Sequence, residues 1–499
     1  MAIDEAEQAL PLSALLTRIA DLEAALAARD EALAARDEAL AERDAKIAEL
    51  QALVGTLVSR TEELSEKVDR NSGNSNRPPS SDGPGAASRS RRHRKSPTGR
   101  KRGGQKGRRG ACRVLLPAER ADAVLDFYPD ACERCAASLP RTPDAAARRY
   151  QLLDLVDWRV HLTEFRRHEV ECGRCGHWTL APRDAGEIPA SSFGPRLVAT
   201  VVLLTGVYHL SRRQAQQLLH ELLGIEVSLG SVSNMEARAS AALQIPSEQA
   251  ERAVRQAEVK HADGTTWLRA GVTKAMWTLA STTVIVYRIF ANGQRDTIRA
   301  LFGTLKGILV SDRAKVLTFW PMQLRQICWA HLVRKFVSFS ERDGPAGAIG
   351  RVLLDYAALV FDYWHGFVSG QLTRDELAAW MRPVQQQFEA ALERAVDADI
   401  ARLSGSCADI LAHRDALWLF VTHDGVEPTN NYAERVLRGL VLWRRRSFGC
   451  QSDRGDRFVE RVTTVVQTLR RGGRGVLDFL VRCVTAHADG AAPPVLVEA

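Results

Sequence analysis

The chain is poor in aromatic residues, at 6%. It also lacks any apolar run of the roughly 18 residues needed to cross a bilayer. Its most apolar stretch, Leu197 to Tyr208, is too short. No basic start followed by an apolar signal core opens the sequence. These absences predict a cytoplasmic protein with no membrane partner. Cysteine is scarce and odd in number, at nine. Four of the nine fall in two Cys-x-x-Cys pairs, which fits metal ligands in a reducing compartment and argues against a disulfide framework. Acids are missing from residues 89–109, which hold eleven Lys or Arg. The net charge of +8 therefore belongs to one segment, and without it the chain would carry −3. What remains plentiful is apolar material, 45% of 499 residues, enough for several domains with cores of their own.

Composition divides the chain. Residues 1–69 form the first region, and 12–68 read as helix. Leu26, Leu33, Leu40, Ile47 and Val54 share one heptad position. The companion position holds Leu22, Arg29, Arg36, Arg43, Leu50, Leu57 and Leu64, so the second half makes the sounder seam. A coiled coil, and with it a homo-oligomer, is expected; an Ala-rich solvated helix is the alternative. Residues 70–110 change character. Asn71-Ser-Gly-Asn-Ser-Asn-Arg-Pro-Pro-Ser-Ser81 cannot make a packed core and predicts a disordered linker. The basic run that follows, with Arg91, Arg92, Arg94, Lys95, Arg100, Lys101 and Arg102, reads as a phosphate-binding arm rather than a merely solvated linker.

Residues 111–188 suggest short strands around Cys132-x-x-Cys135 and Cys172-x-x-Cys175, with 36 residues between the pairs. Each pair offers two thiolates from a tight turn, and a tetrahedral ion takes four. A structural Zn2+ in a zinc-ribbon-like domain is expected; four thiols without metal are the alternative. Residues 189–250 read as helical. Ser211 caps one helix, Gly224 ends it and Ser228 caps the next. This is a helix-turn-helix layout, with Ser231, Ser233, Asn234 and Arg238 as exposed residues able to meet DNA. An ordinary helical hairpin is the competing reading.

Residues 251–312 return to strands, and 313–424 read as helical. Residues 425–487 hold two long helices, and 488–499 a tail. Asp263 follows Val-Lys-His-Ala and is expected at a strand end; Asp312 ends the apolar run Gly-Ile-Leu-Val-Ser. Glu434 lies in Thr-Asn-Asn-Tyr-Ala-Glu-Arg, a helix start. Two strand-borne carboxylates and one from a facing helix can clamp two divalent ions. Taken singly, a strand-end Asp is usually a turn residue and a Glu-Arg on a helix a surface pair.

Several longer motifs, in order, remove that ambiguity. They are the Asn/Ser/Pro linker, Gly103-Gly-Gln105, the paired Cys-x-x-Cys, Asp263-Gly-Thr-Thr-Trp267, Val310-Ser-Asp312, Cys328-Trp-Ala-His-Leu-Val-Arg-Lys-Phe336 and Thr429-Asn-Asn-Tyr-Ala-Glu-Arg-Val-Leu-Arg438. On these the chain resembles the DDE transposases of insertion-sequence family sixty-six, found in bacterial mobile elements. The resemblance implies a multidomain α/β plus all-α protein. Its ribonuclease-H-like core (251–312 and 425–487) would be interrupted by a helical insertion (313–424) and preceded by coiled coil, zinc ribbon and helix-turn-helix. It implies nicking at the element's ends and joining of the 3′-hydroxyl to target DNA, with two Mg2+ or Mn2+ ions. Asp263 would bridge both ions, with Asp312 and Glu434 holding one each. Element ends and target DNA are the implied partners, along with small helper proteins of the same element. Arg435 and Arg438 would steady phosphates, and His331, Arg334 and Lys335 would face DNA. Cys328 and His331 also stand at a metal-ligand spacing. Trp329 would either stack on a base or pack in a core. The chain departs from the family at Gly264, usually Glu, and at Arg313-Ala-Lys after Asp312. A catalytically silent DNA-binding protein is the other functional reading.

Overall fold

A computed structural model describes residues 12–70, 73–75, 115–143, 147–153, 160–181, 188–189 and 191–498. The basic residues Arg91, Arg92, Arg94, Lys95, Arg100, Lys101 and Arg102 lie outside the described residues. The chain divides into two units, Met1–Arg89 and Ser90–Ala499.

Among its described residues the first unit contains one helix, α1 (Leu12–Asp69), of 58 residues. Strong helix formers fill it, and no proline interrupts it. At 1.5 Å per residue it is about 87 Å long. The heptad row stays exposed, from 42% at Leu40 to 58% at Leu26.

In the second unit, β1 (Glu169–Glu171) and β2 (Trp178–Leu180) pair antiparallel. The run from Tyr150 to Cys172 lies within the region 111–188, where short strands are expected. Among its described residues only β1 forms, and Leu152, Leu153 and Leu162 remain exposed. Alternating apolar residues make a strand only where a neighbouring backbone takes up their hydrogen bonds; here it is the Gln151 side chain that bonds the Leu116 backbone, at 2.9 Å.

Next come α2 (Pro195–Val202), which continues into a π-helical turn (Leu203–Val207), then α3 (Arg212–Leu223), α4 (Leu229–Ala242) and α5 (Gln244–Gln256). Ser211 and Gln214 form a reciprocal capping box at the start of α3, and Gly224 ends it in the left-handed conformation. Ser228 caps α4 by accepting from the Ser231 amide.

The sheet is built from β3 (Val259–Arg269), β4 (Val272–Ala280) and β5 (Ile285–Phe290), then α6 (Arg295–Phe302), β6 (Ile308–Ser311) and β7 (Arg325–Ile327). Its order is β5-β4-β3-β6-β7. β3, β4 and β5 form an antiparallel meander; β6 runs parallel to β3, and β7 parallel to β6. β7 lies in the stretch expected to be helical. Three residues without apolar alternation carry no strand signal. Here Arg325 is fully buried, with Nε donating to Ser311 Oγ at 3.2 Å and Nη2 to the Asp312 carbonyl at 2.8 Å.

Beyond β7 the chain forms α7 (Trp329–Ser340), α8 (Gly344–Val368), α9 (Arg374–Asp397), α10 (Ser404–Leu411) and α11 (Leu419–Thr422). It returns with α12 (Asn431–Ser447), α13 (Asp453–Arg471) and α14 (Val476–Ala488). Two cores result. One joins α2, α4 and α5 to the sheet and to α12–α14. The other joins β6 and β7 to α7–α11. By length and composition α8 could cross a membrane; Leu353, Ala357 and Val360 on it are buried in the second core. The expected tail also packs: Leu496 is buried, and its amide donates to Gln249 Oε1 at 3.0 Å.

β5 would leave an open sheet edge. Instead α13 presents Thr468, Thr464 and Glu460, one helical turn apart, to the amides of Ile285, Tyr287 and Ile289 at 3.1, 3.1 and 2.5 Å. An edge strand so covered offers no free amides to another chain.

Candidate active site

β3 has antiparallel β4 on one side and parallel β6 on the other. Strand direction changes here, and the loops leaving parallel strands open a crevice at such a point. The last residues paired between β3 and β6 are His261 and Val310. Asp263 and Asp312 each stand two residues beyond, so they share a level and point to the same side of the sheet. Asp263 was expected at a strand end. It lies inside β3 instead, because the strand runs on into its hairpin with β4; only the parallel pairing ends beside it.

Each acid is held locally. Asp263 Oδ1 accepts from the Gly264 amide at 2.9 Å, and Asp312 Oδ1 from the Ala314 amide at 3.0 Å. Glu434 sits in the first turn of α12, which packs across β3 and β4. Asn430, just before that helix, fastens it down. Its Nδ2 donates to the Ala262 carbonyl at 2.8 Å, its Oδ1 lies 3.3 Å from His261 Nδ1, and its amide donates to Cys328 Sγ at 3.1 Å. The helix carrying the third acid is thereby tied to the residue before the first acid and to the end of β7.

The Asp263 carboxyl feels the other two acids. Asp263 is raised to about 7, chiefly by burial and next by the charge of Asp312; Glu434 adds to the rise, while the Gly264 amide and Arg334 oppose it. Two aspartates and a glutamate are oxygen donors, the kind that hard ions such as Mg2+ or Mn2+ take. Arg334 Nη2 lies 3.3 Å from Glu434 Oε2.

Gly264 has a steric reason. It pairs with Trp277 across β3 and β4, and a Cβ there would come within 2.6 Å of the indole ring. The volume a glutamate would need beside the first acid is filled by Trp277. Arg313, the other departure, pairs with Asp409 at 3.0 Å.

The residues expected to face DNA part company. Arg435 and Arg438 are exposed on α12. His331 and Arg334 do not point outward; both are partly buried against Glu434. Lys335 is half-buried, its Nζ 5.0 Å from the Phe339 ring centre. Trp329 is fully buried, its Nε1 donating to the Leu417 carbonyl at 2.9 Å, so it packs and does not stack on a base. On α4, Asn234 is exposed. Ser231 bonds to Ser228, Ser233 accepts from Arg454 at 2.6 Å, and Arg238 donates to Ser191 Oγ at 2.5 Å. The first of these is the helix's own cap, and Arg454 reaches Ser233 because α13 packs on α4.

Cys132 and Cys172 each open a tight turn, with the residue after the second Cys of each pair, Ala136 or Gly176, left-handed. Amides inside each turn, Arg134 and Arg174 foremost, pull the first thiol below its usual range. Each turn suits two thiolates, yet the four sulfurs do not come together. Among the described residues the one group of three or more metal-ligating side chains within 4.8 Å of one another is Cys328, His331 and Glu434.

Sequence reasoning missed the anchoring roles of Asn430 and Arg325. The Asn-Asn pair before α12 was a signal for the first; a lone Arg in a polar stretch was none for the second.

Residues 190–457 match the transposase IS66 family. Residues 12–114 match a second family, whose function is unknown. The uncharacterized protein y4qI of Sinorhizobium fredii (strain NBRC 101917 / NGR234) is 25% identical over 228 residues, covering 42% of this chain and 41% of its own length. The chain thus spans less than half of that relative.

Proposed function

The chain belongs to the IS66 transposase family, and from that premise we propose that it is a DDE-type DNA transposase that nicks the ends of its mobile element and joins the 3′-hydroxyl to target DNA. The observation that carries this reading is the placement of Asp263 and Asp312 two residues beyond the last pair of the parallel register, with α12, which carries Glu434 in its first turn, packed across β3 and β4. The strand order, with a three-stranded meander continued by two parallel strands, supports a ribonuclease-H-like core.

Asp263, Asp312 and Glu434 would hold the divalent ions. Once bound, such ions activate a water or a 3′-hydroxyl and stabilise the leaving oxygen. The protein's part is positioning. The parallel register sets the spacing of the two aspartates, and Asn430 sets the height of α12 and so of Glu434. Arg334 holds one Glu434 oxygen. Arg435 and Arg438, one helical turn apart on the exposed face of α12, lie where phosphates can reach them. The basic arm at 91–102 and Asn234 on α4 complete the DNA-binding set. A structural Zn2+ on Cys132, Cys135, Cys172 and Cys175 would require the two matching turns to close on one another, and self-association is supported by the exposed heptad row of α1.

The experiment is Mg2+-dependent cleavage of labelled DNA carrying the gene's own flanking ends, with wild type beside Asp312→Ala and Glu434→Gln. Cleavage by wild type, absent in both variants while binding persists, is the expected result. Binding without cleavage in wild type, with Mn2+ and helper proteins also supplied, would instead mark a catalytically silent DNA-binding protein.

A further inference from the structure

Cys328 ends β7 as the N-cap of α7, and His331 lies in the first turn of that helix. Glu434 lies in the first turn of α12. The two helix starts are locked together, with the Trp329 amide donating to the Pro428 carbonyl at 2.8 Å and the Asn430 amide to Cys328 Sγ at 3.1 Å. A sulfur, a ring nitrogen and a carboxylate oxygen thereby come within 4.8 Å of one another.

Two of these atoms are left wanting. His331 Nδ1 and Glu434 Oε1 are inaccessible to water and have no hydrogen-bond partner. They lie 3.6 Å apart. That is too long for a hydrogen bond. It is the length of a ligand-to-ligand edge around a tetrahedral ion, about 3.3–3.8 Å for bonds of about 2.0–2.3 Å.

We propose that Cys328, His331 and Glu434 form a binding site for a thiophilic divalent cation such as Zn2+, separate from the seat of the hard ions but sharing Glu434 with it. A thiolate, an imidazole and a carboxylate are the donors of a zinc centre and a poor set for Mg2+. Three protein ligands leave the fourth position open to water or to an oxygen of another molecule. The thiolate and the Glu434 carboxylate balance the charge of the ion. Burial pushes the Cys328 thiol up to about 11, so the sulfur keeps its proton until a metal displaces it. Arg334 stays on the second Glu434 oxygen, Oε2. Ligation through Nδ1 puts the ring proton on His331 Nε2, so Arg334 Nη1, now 3.3 Å from that nitrogen, turns away. Because Glu434 serves both seats, the thiophilic ion withdraws it from the Mg2+ site, which couples the metal identity at α7 to the carboxylate cluster.

The inference stands on ligand geometry and survives a failure of the cleavage experiment. The test is Co2+ titration of the full chain, followed through the thiolate-to-cobalt charge-transfer band, for wild type, Cys328→Ala, His331→Ala and Glu434→Gln. Circular dichroism checks that each variant folds. The Cys132/Cys135 and Cys172/Cys175 turns also offer thiols to Co2+, so the readout is the difference from wild type. The expected result is one Co2+ fewer per chain and a smaller band in Cys328→Ala, and at least tenfold weaker binding of that same ion in His331→Ala and Glu434→Gln. The latter two keep every cysteine and decide the matter if Cys328→Ala does not fold. An unchanged band and stoichiometry in His331→Ala and Glu434→Gln would overturn the proposal.

Discussion

Helices α4 and α12 look alike in sequence. Each follows a polar turn, and each carries a glutamate that meets an arginine from another helix. On α4, Glu236 is buried and takes Arg212 Nη2 at 2.6 Å and Nε at 2.8 Å on one oxygen. On α12, Glu434 is less buried, its arginine stands off at 3.3 Å, and Oε1 has no hydrogen-bond partner. α4 is walled in by α2, α13 and α14, whereas α12 covers the sheet with one face and leaves Arg435 and Arg438 exposed on the other. A well-satisfied acid builds the fold; an acid held in place with an oxygen to spare is available for chemistry.

That contrast breaks most sharply in two matched variants. Glu434→Gln should slow DNA cleavage by about 10²–10³-fold or more, with the melting temperature nearly unchanged. Glu236→Gln should do the reverse, lowering stability by about 1–3 kcal/mol while folded protein keeps its cleavage rate. Equal effects of the two on cleavage would erase the distinction.

The strand beneath α12 supplies the next test. Gly264→Glu should destabilise by about 1–3 kcal/mol in urea unfolding, because the new side chain meets the Trp277 ring. Combined with Trp277→Ala, it should cost less than the sum of the single changes. Strict additivity would mean that Trp277 is not the obstacle.

A smaller effect separates the helices as DNA surfaces. Arg435→Ala with Arg438→Ala should reduce the salt slope of DNA binding by about 2, one for each lost phosphate contact. Arg238→Ala on α4 should leave that slope unchanged and lower thermal stability, since its guanidinium serves Ser191 and Phe193. A slope change in Arg238→Ala would restore α4 as a DNA-facing helix.

The smallest effect is in pH. Lys260 on β3 is buried, gives its Nζ to the carbonyls of Arg255 and Lys306 at 2.8 and 2.6 Å, and has a pKa lowered by burial to about 8. Between that value and the unfolded value near 10.5 the unfolded chain binds more protons. Stability from this group therefore rises with pH across the window, by at most about 1.4 kcal/mol per pH unit. Wild type should gain on Lys260→Met between pH 8 and 10 in parallel unfolding curves. A constant difference would show that Lys260 titrates normally.

The local features were legible because neighbouring residues decide them. Ser211, Gly224 and Ser228 cap or end helices through bonds within a few residues, and β4, β5 and α13 follow their apolar periods. The acids were legible through the motifs around them. β7, the anchoring by Asn430 and Arg325, and the turning of His331 and Arg334 onto Glu434 were not. Each depends on a partner far along the chain, such as Ala262 for Asn430 or Ser311 for Arg325.

By itself the sequence determined most of the helices with their caps, the strands β4 and β5, where the excess of basic charge lies, and the motifs in which three acids occur. Such properties come from short-range sterics, hydrogen bonding and charge. Tertiary structure alone decided that Asp263 and Asp312 share a level, that α12 packs across β3 and β4, and that Arg238 and Glu236 of α4 are taken up by partners within the fold. Those outcomes depend on strand register and helix packing, where residues of different elements must satisfy one another's buried groups.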